Sequence, residues 1–300
     1  MSPSHLIVGP GALGRLLAMH LASHHSVRLL GRRPLPETLT LVSPEGERRQ
    51  RAIPSLTADR LESWKLGVVH FTTKAYATRG ALEAIASRLD PQTPLILWQN
   101  GYGVQETLAR EWSGPVLCAS TTEGAYVSGK ADVVHAGHGQ TVIGHLAGKH
   151  RALAEALAGT LSNVDLPCEA VNDIRVRLWR KLAVNAAINP LAARFRIRNG
   201  QLRDRPFRPR VEAIIAELAP IMAAEGIPAP AGGWPGLIWG VVEQTANNRA
   251  SMLQDVLAER PTEHEAILGP LLGAAERHHL EIPMLEEQYH ALAKCQSQVQ

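Results

Sequence analysis

The segment HLIVGPGALGRLLAMHL, running from residue 5 to residue 21, constrains this chain more than any other. A short apolar run ends at Gly9, and Gly9, Gly11 and Gly14 stand in G-x-G-x-x-G spacing where helical periodicity begins. Each glycine has a task in a strand-to-helix turn. The first permits the sharp turn, the second lets a pyrophosphate approach the backbone, and the third lets the helix pack closely on the sheet. The helix start then offers unpaired N–H groups and the positive end of its dipole to an anion. The motif in isolation is weak. Directly after a strand and at the opening of a helix, it predicts a dinucleotide-binding α/β fold, against the alternative of a tight turn that binds nothing.

The next hundred residues carry the same rhythm. VRLLG (27–31), LGVVHFTT (66–73), PLILWQ (94–99) and PVLCAS (115–120) are continuous apolar runs, the signature of parallel strands buried on both faces. Helical patterns lie between them at 11–23 and 78–89, so strand and helix alternate as in a doubly wound sheet. DVVHAGHGQTVIG (132–144) reads as a hairpin-like pair with glycines at its turn. Past residue 170 strand signal fades, and VRLWRKLAVNAAINPLAA, RVEAIIAELAPIMAAEG, IWGVVEQTANNRASMLQDVL and TEHEAILGPLLGAAERHH all carry helical spacing. IPAPAGGWPG (227–236) reads as a surface loop. The expected architecture is an N-terminal Rossmann-type dinucleotide-binding domain over residues 1–168, followed by an all-α domain over 169–300, with the boundary falling between 166 and 173.

The end of the second strand discriminates between cofactors. An NAD site usually carries an Asp or Glu there to bind the ribose hydroxyls. This chain reads LLGRRPLP, with Arg32 and Arg33 and no acid. A guanidinium pairs with a 2′-phosphate that a carboxylate would repel, so the residues point to NADP(H), with Arg32 as the main contact. Two solvated surface arginines are the alternative.

In LWRKLAVNAAINPLAA, Lys181, Asn185 and Asn189 fall at i, i+4 and i+8 and therefore share one helical stripe among small apolar neighbours. Such a polar row needs partners. A ligand supplies them in one reading; in the other the row faces solvent and Lys181 snorkels. Pro190 is expected to disturb the helix just after Asn189. Hydride addition to a ketone builds negative charge on oxygen, and a protonated lysine donates both charge and proton there, more readily if burial lowers its pKa.

Composition excludes several classes. Across 300 residues, 45% are hydrophobic and 20% charged, and the net charge is +3, too small an excess to imply a nucleic-acid or membrane surface. Cys118, Cys168 and Cys295 are scattered and form no CxxC pair, which fits reduced thiols in a cytoplasmic protein. No signal layout opens the chain, and no apolar run approaches the roughly 20 residues that span a bilayer. No metal is expected, because HAGHG has neither carboxylate nor cysteine at useful spacing and the pairs His24–His25 and His278–His279 sit near helix ends. Cys118 reads as a buried structural thiol, and Tyr126, whose only following lysine lies beyond Gly129, is discounted as an acid.

VGPGALG, TKAY, QNGYG, LWRKLAVNAAINPLAA and SMLQDV together resemble the ketopantoate reductase (2-dehydropantoate 2-reductase) family over nearly the whole chain. The resemblance implies a Rossmann domain followed by a helical domain, an active site in the cleft between them, and NADPH-dependent reduction of ketopantoate to pantoate on the route to pantothenate and coenzyme A. It implies Lys181 as general acid and Glu263 as its assistant. Asn185, Asn189 and Asn100 would hold the substrate, and Ser251 its carboxylate. Gly9, Gly11, Ala12, Leu13, Gly14, Arg32, Lys74, Asn100 and Ala125 would bind the cofactor, with Lys74 and Asn100 beside the nicotinamide and ribose in the first domain. After Thr262–Glu263 the chain departs from the usual pattern at His264, Glu265, Ala266 and Leu268, and residue 250 is Ala where a second Ser is common. Thr262 and Glu265 also fit a capping box that would leave Glu263 a simple first-turn carboxylate. The substrate therefore stays open within small 2-oxo acids. A paralogous NADPH-dependent reductase and a catalytically silent NADP-sensing module are the alternatives, and a homodimer is compatible with either.

Overall fold

The computed structural model describes residues 4–62 and 66–297, with the side chains of 295–297, Cys295 among them, outside the described set. The chain alternates β1 (His5–Val8), α1 (Ala12–Leu21), β2 (Val27–Leu30), β3 (Thr38–Val42), β4 (Arg48–Ala52), β5 (Ser55–Leu56), β6 (Val68–Phe71), α2 (Ala75–Glu83), β7 (Leu95–Leu97), α3 (Val104–Glu111) and β8 (Val116–Thr121). It continues through β9 (Gly124–Ser128), β10 (Asp132–Gly137), β11 (Thr141–Gly144), α4 (Arg151–Ser162) and β12 (Cys168–Ala170). Helices then follow without strands: α5 (Ile174–Phe195), α6 (Arg208–Ala224), α7 (Gly233–Gln244), α8 (Ser251–Leu257), α9 (His264–Arg277) and α10 (Pro283–Ser297). An N-terminal, mainly parallel Rossmann-like sheet with a helical C-terminal part is the architecture the sequence predicts.

Eight strands form the main sheet in the order β12-β11-β8-β7-β6-β1-β2-β5, with β8 and β11 antiparallel and every other neighbouring pair parallel. Alternate residues of the buried strands feed two cores. Ile7, Leu29, Ile96 and Leu117 join a cluster containing α1 and α4 residues, while Leu6, Val8, Phe71 and Leu97 join a second one with Leu82 and Leu108. Burial on both faces is why these strands read as unbroken apolar runs. Two histidines inside them, His5 and His70, bond ring to ring at 3.0 Å, and Trp98 Nε1 donates to His70 Nδ1 at 3.2 Å. Burial pulls both below the usual histidine range, His5 to about 4, so they pack as neutral rings.

The second sheet, β4-β3-β10-β9, contains elements with little sequence signal. β4 is RRQRA and mostly exposed, so no apolar alternation marks it. The expected hairpin over 132–144 does not form. β10 pairs with β9 and β3, whereas β11 crosses to the main sheet and pairs with β8 and β12. The glycines between them serve the crossing: a Cβ on Gly139 would lie 2.3 Å from the Thr122 carbonyl carbon, and Gln140 N donates to Thr122 Oγ1 at 2.9 Å. The true hairpin is β9–β10, turning at Gly129 with φ +71°.

Contacts divide the chain into two units, residues 1–99 with 104–175, and residues 100–103 with 176–300. The division falls inside α5, past β12, which the 168/169 boundary would cut from its sheet. In the second unit α6 packs on α7, α9 and α10. α5 is buried along Trp179, Leu182, Ala183, Ala186, Ala187 and Leu191, and it runs unbroken through Pro190 to Phe195. Pro190 removes only the N–H that the Ala186 carbonyl would accept; tight packing on both sides holds the helix together, contrary to the expected disturbance. The predicted helix over 238–257 is split into α7 and α8, because Asn199 N and Gly200 N donate to the carbonyls of Asn248 and Ala246. Likewise the predicted loop at 227–236 already turns helical at Gly233, and Trp234 is buried.

Candidate functional site

The carboxyl ends of β1, β2 and β6 lie level in the parallel register, Val8 facing Leu30 on one side and Phe71 on the other. The chain leaves β1 toward β2 and later returns to the far side of β1 as β6, so the switch point of the sheet lies between β1 and β6, where doubly wound folds bind ligands. Gly9 sits there with φ +106°, and a Cβ on it would come within 2.6 Å of Thr73 N. Gly14 has no room either, its virtual Cβ lying 2.1 Å from the Gly9 carbonyl oxygen. Gly11 differs: a Cβ there would meet nothing within 4 Å. Packing dictates the first and third glycines, whereas the second faces open space, as a close-approaching ligand requires. α1 begins with no side-chain cap and no acid in its first turn, so its N–H groups and dipole remain available to an anion. These features fit a dinucleotide pyrophosphate.

Several residues that the sequence reading overlooked hold this turn in shape. Thr72 Oγ1 donates to the Gly9 carbonyl at 2.7 Å. Arg15, itself buried, donates through Nε to the Pro10 carbonyl at 2.9 Å and through Nη1 to that of Lys130 at 3.0 Å. Gln99 Nε2 donates to the carbonyls of Phe71 at 2.8 Å and Thr73 at 3.1 Å, tying the end of β7 to the end of β6. Their only local signal was polarity at the end of an apolar run. Lys74 follows, half-buried, as the residue that opens α2, its carbonyl accepting from Thr78 Oγ1 at 3.1 Å. Gly31 packs on the ring of Pro10, with a virtual Cβ 2.7 Å from Cγ, so the Arg32–Arg33 loop lies against the glycine turn. Both arginines are exposed. Ala12 and Leu13 occupy the first turn of α1, and Leu13 and Ala125 pack on the first core cluster.

The second unit carries the other group. Lys181, Asn185 and Asn189 lie on α5 in the predicted row, Asn189 buried and the other two half-buried. Desolvation of the Lys181 ammonium pulls its pKa from 10.5 to about 8, while the charge of Glu263 opposes that fall. Glu263 is buried at the start of α9 and makes no capping bond there. The capping box is absent: Thr262 Oγ1 meets His264 Nδ1 at 3.2 Å, and Glu265 accepts from the hydroxyl of Tyr289 on α10. Glu263 is therefore the electrostatic partner of Lys181. Ser251 stands exposed as the first residue of α8.

Asn100 was expected in the first domain, but residues 100–103 belong to the helical unit. Tyr102 N donates to the Ala266 carbonyl at 2.9 Å, its ring packs 5.1 Å from that of Trp179, and Gly101, at φ +82°, has no space for a Cβ beside Ala266. The loop that follows Asn100 is thus held against α5 and α9. Cys118 is fully buried, which pushes its thiol up to about 12, and Tyr126 is exposed. One expectation fails at the histidines of HAGHG: a carboxylate does reach them, since Glu123 Oε2 lies 2.6 Å from His135 Nε2 across the β9–β10 hairpin.

Among the described residues, no helix is long and apolar enough to cross a membrane. The family described as ketopantoate reductase PanE/ApbA matches residues 5–148, and its C-terminal counterpart matches 173–296. A 2-dehydropantoate 2-reductase from Vibrio cholerae is 34% identical over 293 residues, covering 96% of each chain. The fold is similar to that of D-mandelate dehydrogenase solved with NADH and anilino(oxo)acetate, at TM-score 0.88 and 21% identity over 98% of this chain and 99% of that one. It is also similar to that of the dimeric ketopantoate reductase of Staphylococcus aureus, at TM-score 0.84 and 22% identity over 99% and 100% of the two chains. With a glycine turn shaped for a dinucleotide in one unit, a desolvated lysine in the other, and both family regions matched in order, the chain belongs to the ketopantoate reductase (2-dehydropantoate 2-reductase) family of oxidoreductases.

Proposed function

We propose that this chain reduces 2-dehydropantoate to pantoate with NADPH in the cytoplasm, supplying pantoate for pantothenate and coenzyme A. The observation that carries the reading is Lys181, a lysine desolvated among apolar α5 neighbours with its pKa lowered to about 8 and Glu263 as its counter-charge. When bound, the nicotinamide supplies the hydride. Lys181 holds the proton that the carbonyl oxygen takes as it becomes a hydroxyl, and its positive charge stabilises that oxygen beforehand. Glu263 keeps the proton on Lys181 near neutral pH. Asn185, Asn189 and Asn100 orient the substrate by hydrogen bonding, and Ser251 binds its carboxylate. The turn through Gly9, Gly11, Ala12, Leu13 and Gly14 holds the pyrophosphate, Lys74 and Ala125 contribute to the cofactor site, and Arg32 pairs with the 2′-phosphate. We extend to this chain the dimeric state named for the Staphylococcus aureus enzyme.

A second reading, reduction of a different small 2-oxo acid, is favoured by one place in the helical unit. His264 is buried, packs 5.4 Å from the ring of Tyr289, and stands where the chain departs from the usual family pattern. The D-mandelate dehydrogenase of similar fold, solved with anilino(oxo)acetate, supports this second reading. NADPH oxidation against a panel containing 2-dehydropantoate and aryl 2-oxo acids decides. Highest kcat/KM on 2-dehydropantoate is expected. Turnover confined to another member of the panel would overturn the first reading, and no turnover on any member would favour a silent sensing module.

A further inference from the structure

We propose that Glu123, His135 and His138 form a binding site for a divalent transition-metal ion of the zinc class, on the sheet β4-β3-β10-β9 and apart from the glycine turn. Their candidate ligand atoms, one from each side chain, all lie within 4.8 Å of one another. Two imidazole nitrogens and one carboxylate oxygen are a donor set that suits zinc and leaves a fourth position open.

The backbone builds this cluster. Residues three apart on a regular strand point to opposite faces. The β9–β10 ladder pairs His135 with Ala125 and then Gly137 with Gly124, so Ala136 is an extra residue at a bulge. One inserted residue reverses the alternation beyond it and turns His135 and His138 toward the same side. The same register sets Glu123, immediately before β9, beside the end of β10.

A buried, incompletely satisfied carboxylate marks the site. The side chains of Glu123 and His135 are each only 2% exposed. Glu123 Oε2 meets His135 Nε2 at 2.6 Å, but Glu123 Oε1 is buried with no hydrogen-bond partner. A second orphan lies nearby. The His20 ring stands 5.9 Å from that of His135, and its Nδ1 meets the Val164 carbonyl at 2.7 Å. A carbonyl only accepts, so Nδ1 carries the proton and Nε2 presents a bare lone pair, which is buried and also unpartnered. That is the tautomer and backbone anchoring typical of a metal-binding histidine. His20 is not one of the three close ligands; it lines the cleft beside them.

The surroundings favour a cation. The cleft lined by His20, His135 and His138 also presents Glu45, Glu47 and Asp165 against Arg49, which is itself paired with Glu47 at 3.2 Å. Around a tetrahedral zinc ion, ligand atoms sit about 3.3 Å apart, given bonds of about 2.0–2.1 Å. Closing a spacing of up to 4.8 Å to that value needs a movement of up to about 1.5 Å. His138 can make it, because its side chain is 61% exposed and its partner, Glu45 at 3.2 Å, is equally exposed. His20 lies in the last turn of α1 and the glycine turn at its start, about 15 Å apart at 1.5 Å per residue, so the metal would lie away from the pyrophosphate turn.

The test is calorimetric titration of chelator-treated full-length protein with Zn2+, together with the visible spectrum of the Co2+ form. One ion per chain is expected. Intense visible Co2+ bands of a four-coordinate site should accompany it. H138A, which removes an exposed side chain, should keep the wild-type melting temperature without metal and weaken Zn2+ at least tenfold, with NADPH affinity unchanged. E123Q should weaken it similarly, and H278A, which alters the separate His278–Glu225 pair, should not. Absence of saturable binding by the wild type, or stoichiometric binding that neither H138A nor E123Q weakens, would overturn the proposal.

Discussion

Replacing Lys181 tests the chemistry most directly. Burial lowers its pKa from 10.5 to about 8. That fall corresponds to about 3 kcal/mol of penalty on the ammonium relative to the amine. A proton held this way transfers more readily to a developing alkoxide and is still present on about nine molecules in ten at pH 7. Because the reductive step needs the protonated form, kcat for NADPH oxidation at saturating substrate should be flat below pH 8 and fall about tenfold per unit above it. An ordinary exposed lysine would put that limb above pH 10. Lys181→Ala should lower kcat at pH 7 by at least about 100-fold, abolish the alkaline limb and leave NADPH affinity nearly unchanged. Lys181→Arg keeps the charge but cannot deprotonate in this range, so its residual activity should show no limb near pH 8. The measurement is a steady-state pH profile for each variant, with melting temperatures to confirm folding. Near-normal turnover by a folded Lys181→Ala protein, or a wild-type limb above pH 10, would refute the reasoning.

Three further outcomes follow from the geometry. Glu263→Gln removes the charge that holds the Lys181 pKa up, so the alkaline limb should move to lower pH; a limb that stays put would separate the two residues. Arg32→Ala should remove most of a preference for NADPH over NADH of at least about tenfold, as expected for a charge-assisted phosphate contact of roughly 1.5–3 kcal/mol, and equal use of both cofactors by the wild type would contradict it. Gly11→Ala and Gly14→Ala should part company in a thermal melt. Gly11→Ala meets no protein atom and should keep its stability while losing NADPH affinity, whereas Gly14→Ala collides with the Gly9 carbonyl and should lose stability by about 1–3 kcal/mol or more.

Features written in contiguous residues were legible before any coordinates. The glycine turn is one, because a strand end, a turn and a helix start follow one another within ten residues of chain. The Lys181–Asn185–Asn189 row is another, because helical periodicity alone aligns it. The parallel strands declared themselves because burial on both faces leaves no polar alternation. Tertiary structure decided whatever depended on a partner distant in sequence. β4 is polar and becomes a strand only because β3 pairs with it. β10 and β11 look like a hairpin, yet each pairs with other strands in a different sheet. Pro190 does not break α5, since packing along both flanks outweighs one missing hydrogen bond. The apparent capping residues at Thr262 and Glu265 are claimed by His264 and Tyr289. The carboxylate at Glu123 reaches His135 and His138 only through strand register and a bulge, and Glu263 becomes the counter-charge of Lys181 only after 80-odd residues of chain have folded between them. Local periodicity and backbone stereochemistry act over a few residues and can be read in order; electrostatic pairing and strand exchange depend on distances in space, which the order of residues does not contain.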